Sequence, residues 1–513
     1  MAPHITTRRT ATITPTTNIT ETHGPMSEIK HFQFSDGLKR LAYILLGLGV
    51  LGVLLTIVVP LLGLGEWNHG SRLWSNILLN NYYFTGMAIV GLFFLASHQL
   101  GYSGWQTLFK KVPLAMGRFA VVGLAIAALI VVGMWADLHH LYGHWTHHSD
   151  AFTIGKQPFL TKGIYSVSVL GFFGLWALYS YLMGKRFPSI TTYREYQKSK
   201  YLSATFILIF AVSTSVVSWH YVMSLDPHWY STLFGWYNFA SYACAGFAAM
   251  ILILIFLKQT GHMPHLSVDH LHDLGKYLFG FSVFWTYLWF SQFMLIWYAN
   301  IPEATAWYTK RMEVPLFKIL MFVALIINFA LPLLVLMKRD SKRQLGTLGF
   351  VAVMVIIGHY LDFYGMMMFE PNAVPHHAEH ADHGDGHDDD AHALNFSELE
   401  VLYLADAGGH ADSHTDEAHD DHAGHDDHAD HDGHADGDHH DDAAHAGTHG
   451  DDHHDDGHGG HEATHYAKLG LAEIFIFLGF LGGFILVVFS SLNGQVVEST
   501  DDPFIKESAH HHI

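Results

Sequence analysis

One cysteine, Cys244, stands in 513 residues. That scarcity excludes an internal disulfide framework, a zinc ribbon and a cysteine-ligated iron–sulfur cluster. The attachment motif for a c-type haem is missing as well. No redox cofactor is therefore expected on this chain, and electrons passing nearby would use a cofactor held by another subunit. Lys and Arg are absent from residues 371–467, although the chain holds 27 elsewhere. The stretch 376–465 contains 23 His and 27 acidic residues. It carries −27 against −20 for the whole chain, so the remainder is net +7 and strongly apolar. A composition divided in this way excludes an ordinary soluble globule, and the acidic surplus excludes nucleic acid as a partner.

Apolar runs dominate the rest. A membrane's hydrocarbon layer of about 30 Å needs roughly 20 residues of helix. Ten runs qualify: 41–64, 77–98, 116–137, 162–184, 201–223, 234–257, 278–300, 315–337, 346–369 and 468–490. They are continuously apolar, not alternating, which predicts helices and excludes a barrel. The fold class expected is an all-α integral membrane protein with ten spans. With the N-terminus placed inside, 19 Lys/Arg fall on inner segments and seven on outer ones. That asymmetry predicts two cytoplasmic termini and an outer acidic loop. The organisation is a tail at 1–40, nine spans over 41–370, the acidic insert at 371–467, a tenth span at 468–492 and a tail at 493–513. Residues 1–25 hold nine Thr and no apolar signal region. The text from Met26 reads as an ordinary cytoplasmic start, so translation is expected to begin there; the alternative is a Thr-rich tail.

Ionisable groups inside spans are costly and so mark candidate sites. Asp137, His139 and His140 end the third run. His220 ends the fifth and is followed by Asp226. His359 and Asp362 lie in the ninth run and Glu473 in the tenth. All fall in the outer half or at its edge. Asp137 with His140, and His359 with Asp362, are three apart, so on a helix each pair would share a face. A carboxylate beside an imidazole sets its tautomer and suits proton transfer. The plainer reading is that Asp137, His139 and His140 meet interfacial water as their helix ends. Nine of 13 Trp also lie at or beyond the outer boundary. That excess suits either a docking surface or a one-sided aromatic belt.

The segment Ser213 to Tyr237, STSVVSWHYVMSLDPHWYSTLFGWY, resembles the membrane subunits of alternative complex III, the bacterial quinol:electron-acceptor oxidoreductase. Phe284 to Trp307, FWTYLWFSQFMLIWYANIPEATAW, looks like the same family, as does the ten-span plan. These subunits belong to the NrfD/polysulfide-reductase membrane-anchor class, and the match is nearer the second of two paralogous subunits. It covers about 30–370 and 466–492. The resemblance implies two four-helix bundles, spans two to five and six to nine, flanked by spans one and ten. It implies the bacterial inner membrane, with a sister membrane subunit, a periplasmic iron–sulfur subunit, c-type cytochromes, a haem-copper oxidase and lipids as partners. Quinone or menaquinol would be the substrate, with haem c and iron–sulfur clusters in the partner subunits. In the sister subunit the quinone pocket resembles a His late in one span facing an Asp early in the next. His139 and His140 would fill the first role here, but the fourth run has no Asp or Glu. That departure shifts the expectation toward a quinone-proximal surface or an outer-side proton path.

The insert is too polar to bury a core. Within it His422, His425, His428, His431 and His434 recur every three residues with acids between. Imidazole with carboxylate suits zinc, copper or nickel, and the alternative is a solvated acidic, buffering segment. Two other functions compete with a respiratory subunit. One is a structural anchor for periplasmic cytochrome and iron–sulfur subunits; the other is a divalent-metal transporter suggested by the insert. The transporter is disfavoured because the midplane positions of the spans hold no ligand pairs.

Overall fold

A computed structural model describes residues 30–62, 70–147, 154–369, 469–509 and 511. The chain divides into a helical unit and a second unit, 375–463, which lies outside the described residues. Among the described residues ten helices are long and apolar enough to cross a membrane: α1 (Asp36–Leu61), α2 (Ser71–Leu100), α3 (Lys111–Trp135), α4 (Lys162–Arg186), α5 (Tyr193–Leu225), α6 (Leu233–Gln259), α7 (Val268–Ala299), α8 (Pro315–Leu336), α9 (Leu345–Met367) and α10 (Leu471–Leu492). The protein is therefore an all-α, ten-span membrane protein. Local chemistry sets several starts. Ser35 and Thr161 cap α1 and α4 through side-chain oxygens, Thr192 and Glu195 form a capping box on α5, and Pro315 opens α8.

Helices α2 to α5 pack as one bundle and α6 to α9 as another, while α1 pairs with α10. The bundles meet along α2 and α6, whose most apolar windows are each 89% buried. The sequences explain the seam. Helix α6 offers Ala240, Ser241, Ala243, Cys244, Ala245 and Gly246, small enough for close approach. A Cβ on Gly86 would meet the Tyr242 ring at 2.8 Å, and one on Gly246 would meet Val90 at 2.7 Å. The flanking pair is tighter still. A Cβ on Gly49 would fall 2.5 Å from the Gly479 backbone. Two spans carry a π-turn, at Ser218–Val222 in α5 and Ile326–Ala330 in α8. Such bulges re-aim side chains; here they hold His220 and Asn328, both buried.

Both described chain ends lie on one face, called here the terminal face. Phe32 N donates to Gln495 O at 2.8 Å, and Gly494 N donates to Phe32 O at 2.8 Å. The segment after α10 then folds over this face. Asp502 pairs with Lys110 at 2.5 Å, Glu498 with His265 at 2.8 Å and Asp273 with His511 at 2.7 Å. Ionisable groups gather at this face as well. Helix α7 starts at Val268 instead of 278, and its first turns bring in Asp269, His270, His272, Asp273 and Lys276. Hydropathy rejects those residues as membrane-buried; the docked C-terminal segment and the neighbouring helices cover most of them instead.

Candidate functional site

The opposite face carries the predicted site residues, but they form separate groups. The deepest lies in the second bundle. Asp362 is five residues from the end of α9, about 8 Å along the axis. Its Oδ1 accepts from the Tyr237 hydroxyl, and its Oδ2 accepts from Ser241 Oγ at 3.0 Å and Trp285 Nε1 at 3.2 Å. The same Ser241 Oγ lies 2.9 Å from His359 Nδ1. His359 and Asp362 therefore do share a face, and a hydroxyl from α6 joins them. The His359 ring is wholly buried and its Nε2 has no hydrogen-bond partner.

A serine hydroxyl has one proton and accepts as well as donates. When it donates to an ionised Asp362, His359 must donate from Nδ1 to Ser241. When Asp362 is protonated and donates to Ser241, the hydroxyl turns to Nδ1 and the ring proton sits on Nε2. Passage of a proton from Asp362 through Ser241 to Nδ1, with loss of the Nε2 proton, converts the second arrangement into the first. The triad can thus shift a proton between Asp362 and His359 Nδ1; onward release needs an acceptor at Nε2, which no group among the described residues supplies.

Asp362 also lines a narrow cleft of ≈ 40 Å³ between α6, α7, α8, α9 and the interhelical segment Pro302–Glu313. Its walls include Tyr237, Trp289, Gln292, Trp307, Tyr308 and Arg311. Arg311 donates to Trp307 O at 2.9 Å, and its guanidinium carbon lies 3.9 Å from the Trp307 ring centre. Gln292 is buried and its Oε1 has no hydrogen-bond partner. The cleft joins flat aromatic walls to a few convergent polar groups; as packed it has room for a few waters, and a ring would enter only as the aromatic walls part.

The remaining candidates sit elsewhere. Glu473, fully buried, is held by Arg72 Nε at 2.6 Å and Nη2 at 2.9 Å, and accepts from Gly470 N at 2.9 Å. It closes α10 against α2 and does not reach the relay. His220 Nε2 lies 3.1 Å from Phe159 O and its ring stacks on Phe159 at 4.1 Å. His139 Nε2 lies 3.0 Å from Ile130 O, and burial lowers its pKa. Around these two the first bundle holds a phenol network: Tyr165 to Tyr142 at 2.9 Å, Tyr142 to Tyr221 O at 3.0 Å and Asn81 to the Tyr221 hydroxyl at 2.8 Å. Asp226 is half-buried in the turn after α5, where its carbonyl accepts from Trp229 N at 3.3 Å.

Asp137 and His140 do not share a helical face. Helix α3 ends at Trp135, and Asp137 takes a left-handed conformation with φ 56°. The loop nevertheless brings them within 3.5 Å and adds His147 at 3.0 Å. His422, His425, His428, His431 and His434 lie outside the described residues.

Sequence reasoning found His359 and Asp362 from their depth. It missed Ser241, Tyr237 and Trp285, since residues of these types are common in apolar helices. Arg72 was visible only as a flanking charge. These features define a class: an α-helical, ten-span membrane protein with a buried carboxylate–hydroxyl–imidazole site. No family model matches the chain, and no curated protein matches it.

Proposed function

We propose that this chain is an integral membrane subunit of a quinol:electron-acceptor oxidoreductase, similar to ActF, the second paralogous membrane subunit of alternative complex III. In this reading its second bundle handles quinol-linked protons. One observation carries the proposal. A buried carboxylate, bonded to an imidazole through a hydroxyl, forms part of an aromatic-walled cleft that also contains Arg311 and Gln292. A quinol head group is flat and carries two hydroxyls on opposite edges. Aromatic walls suit its ring, and Asp362 suits as acceptor of one hydroxyl proton. Through Ser241 that proton is shared with His359 Nδ1. Among the described residues the first bundle, with its phenols and buried histidines, brings no carboxylate to an imidazole through a hydroxyl in this way.

The resemblance supplies the rest of the proposal. The chain sits in the bacterial inner membrane with its terminal face cytoplasmic. Partner subunits hold the haem c and iron–sulfur clusters, and the sister membrane subunit, a haem-copper oxidase and lipids surround it. The test is purification of the tagged full chain from its own membranes. Haem absorbance and quinol:acceptor turnover in the isolated material support the proposal. A chain that purifies alone, without haem, contradicts it. Asp362→Asn in an assembled, haem-replete complex then isolates the relay from the structural role.

A further inference from the structure

We propose that Asp137, His140 and His147 form a surface site for a zinc-class divalent cation. Asp137 Oδ1 lies 3.0 Å from His147 Nε2 and 3.5 Å from His140 Nε2. All three ligand atoms fall within 4.8 Å of one another. A tetrahedral zinc ion with bonds of about 2.05 Å sets its ligand atoms about 3.3 Å apart. Two of the three separations already match, and the exposed rings can pivot to close the third. Two neutral imidazoles and one carboxylate suit zinc, copper or nickel over magnesium or calcium. Three protein ligands leave one position open for water or a fourth donor.

The backbone after α3 builds this group. Leu138 N donates to Gly133 O at 2.8 Å as α3 ends, and Asp137 adopts φ 56°, a conformation few non-glycine residues take. The short helix Gly143–Thr146 then returns the chain, and His147 N donates to Gly143 O at 3.0 Å. The Asp137 carboxylate is more than half exposed, and each imidazole is about one-third exposed. Lys162 adds positive charge nearby and moderates affinity for a cation.

The histidine-rich insert would mask bulk zinc binding, so the test must read single residues. The intact complex is stripped with chelator and held at set free zinc in a metal buffer. Diethyl pyrocarbonate modification is then followed by peptide mass spectrometry. His140 and His147 should lose reactivity together over one range of free zinc, with His228 reactivity unchanged as the control for folding. Asp137→Asn should move that range to higher zinc by about tenfold or more, since even outer-shell partners of a metal ligand are worth that much. His140 and His147 protected at different concentrations, not protected at all, or protected equally in Asp137→Asn, would overturn the proposal.

Discussion

Glu473→Gln should destabilise the protein without abolishing the chemistry of the second bundle. The carboxylate is fully buried and takes two charge-assisted bonds from Arg72, at 2.6 and 2.9 Å, and one from Gly470 N. Glutamine keeps one acceptor and turns an amide N–H₂ toward a donor. Removing one partner of a buried ion pair costs about 3–5 kcal/mol, because the other charge is stranded. Arg72 is one-third exposed and regains some water, which lowers the expected loss to about 2–3 kcal/mol. Arg72→Gln should cost more, about 3–5 kcal/mol, because it strands the fully buried Glu473 carboxylate; the two losses should not add, with a coupling of at least about 1 kcal/mol. Arg72→Met with Glu473→Met should recover most of the stability. Unfolding in detergent micelles, followed by tryptophan fluorescence against denaturant, measures all four variants. A Glu473→Gln protein as stable as wild type, or single losses that simply add, would refute the pairing. Loss of turnover at unchanged stability would instead make Glu473 a proton carrier.

Gly49→Leu should separate α1 from α10, because its Cβ would lie 2.5 Å from the Gly479 backbone; overpacking of this kind costs about 1–3 kcal/mol, and detergent melting temperature reports it. Truncation after Asn493 should expose the terminal face and lower stability, since it removes the partners of Lys110, His265 and Asp273; limited proteolysis at the α6–α7 connection reads the change. Deleting 405–460 should leave assembly and quinol oxidation largely intact, because that composition lacks core-forming residues; loss of the complex from the membrane would show the insert to be structural.

The spans were readable because continuous apolar runs of this length have few alternative fates in a protein. Helix α7 shows where that reading stops. Its first ten residues look like a polar loop, and most of them are buried by the docked segment, which sets His511 on Asp273, and by neighbouring helices, which bring Arg343 to Asp269. The depth of Asp362 marked it as a site, but hydropathy carries no information on the neighbour that bridges it to His359. Ser241 becomes functional in this account only because α6 packs directly on α9. Asp137 and His140 were paired for a reason that fails, a helical face, and meet for another, a left-handed turn after Trp135. His147 joins them through the fold of the loop, which spacing alone does not reveal.

The central claim is that Asp362 moves protons from quinol. It is tested most directly by turnover and proton release of the Asp362→Asn complex in proteoliposomes, with haem content measured in the same preparation. Asparagine keeps its carbonyl oxygen as acceptor for Ser241 and Trp285 and turns its amide N–H₂ toward the Tyr237 hydroxyl, which can accept, so assembly and haem content should equal wild type. Quinol oxidation should fall by about 100-fold, the scale of losing a positioned general base. Full turnover with unchanged proton release, in a complex carrying its complete haem complement, would contradict the account.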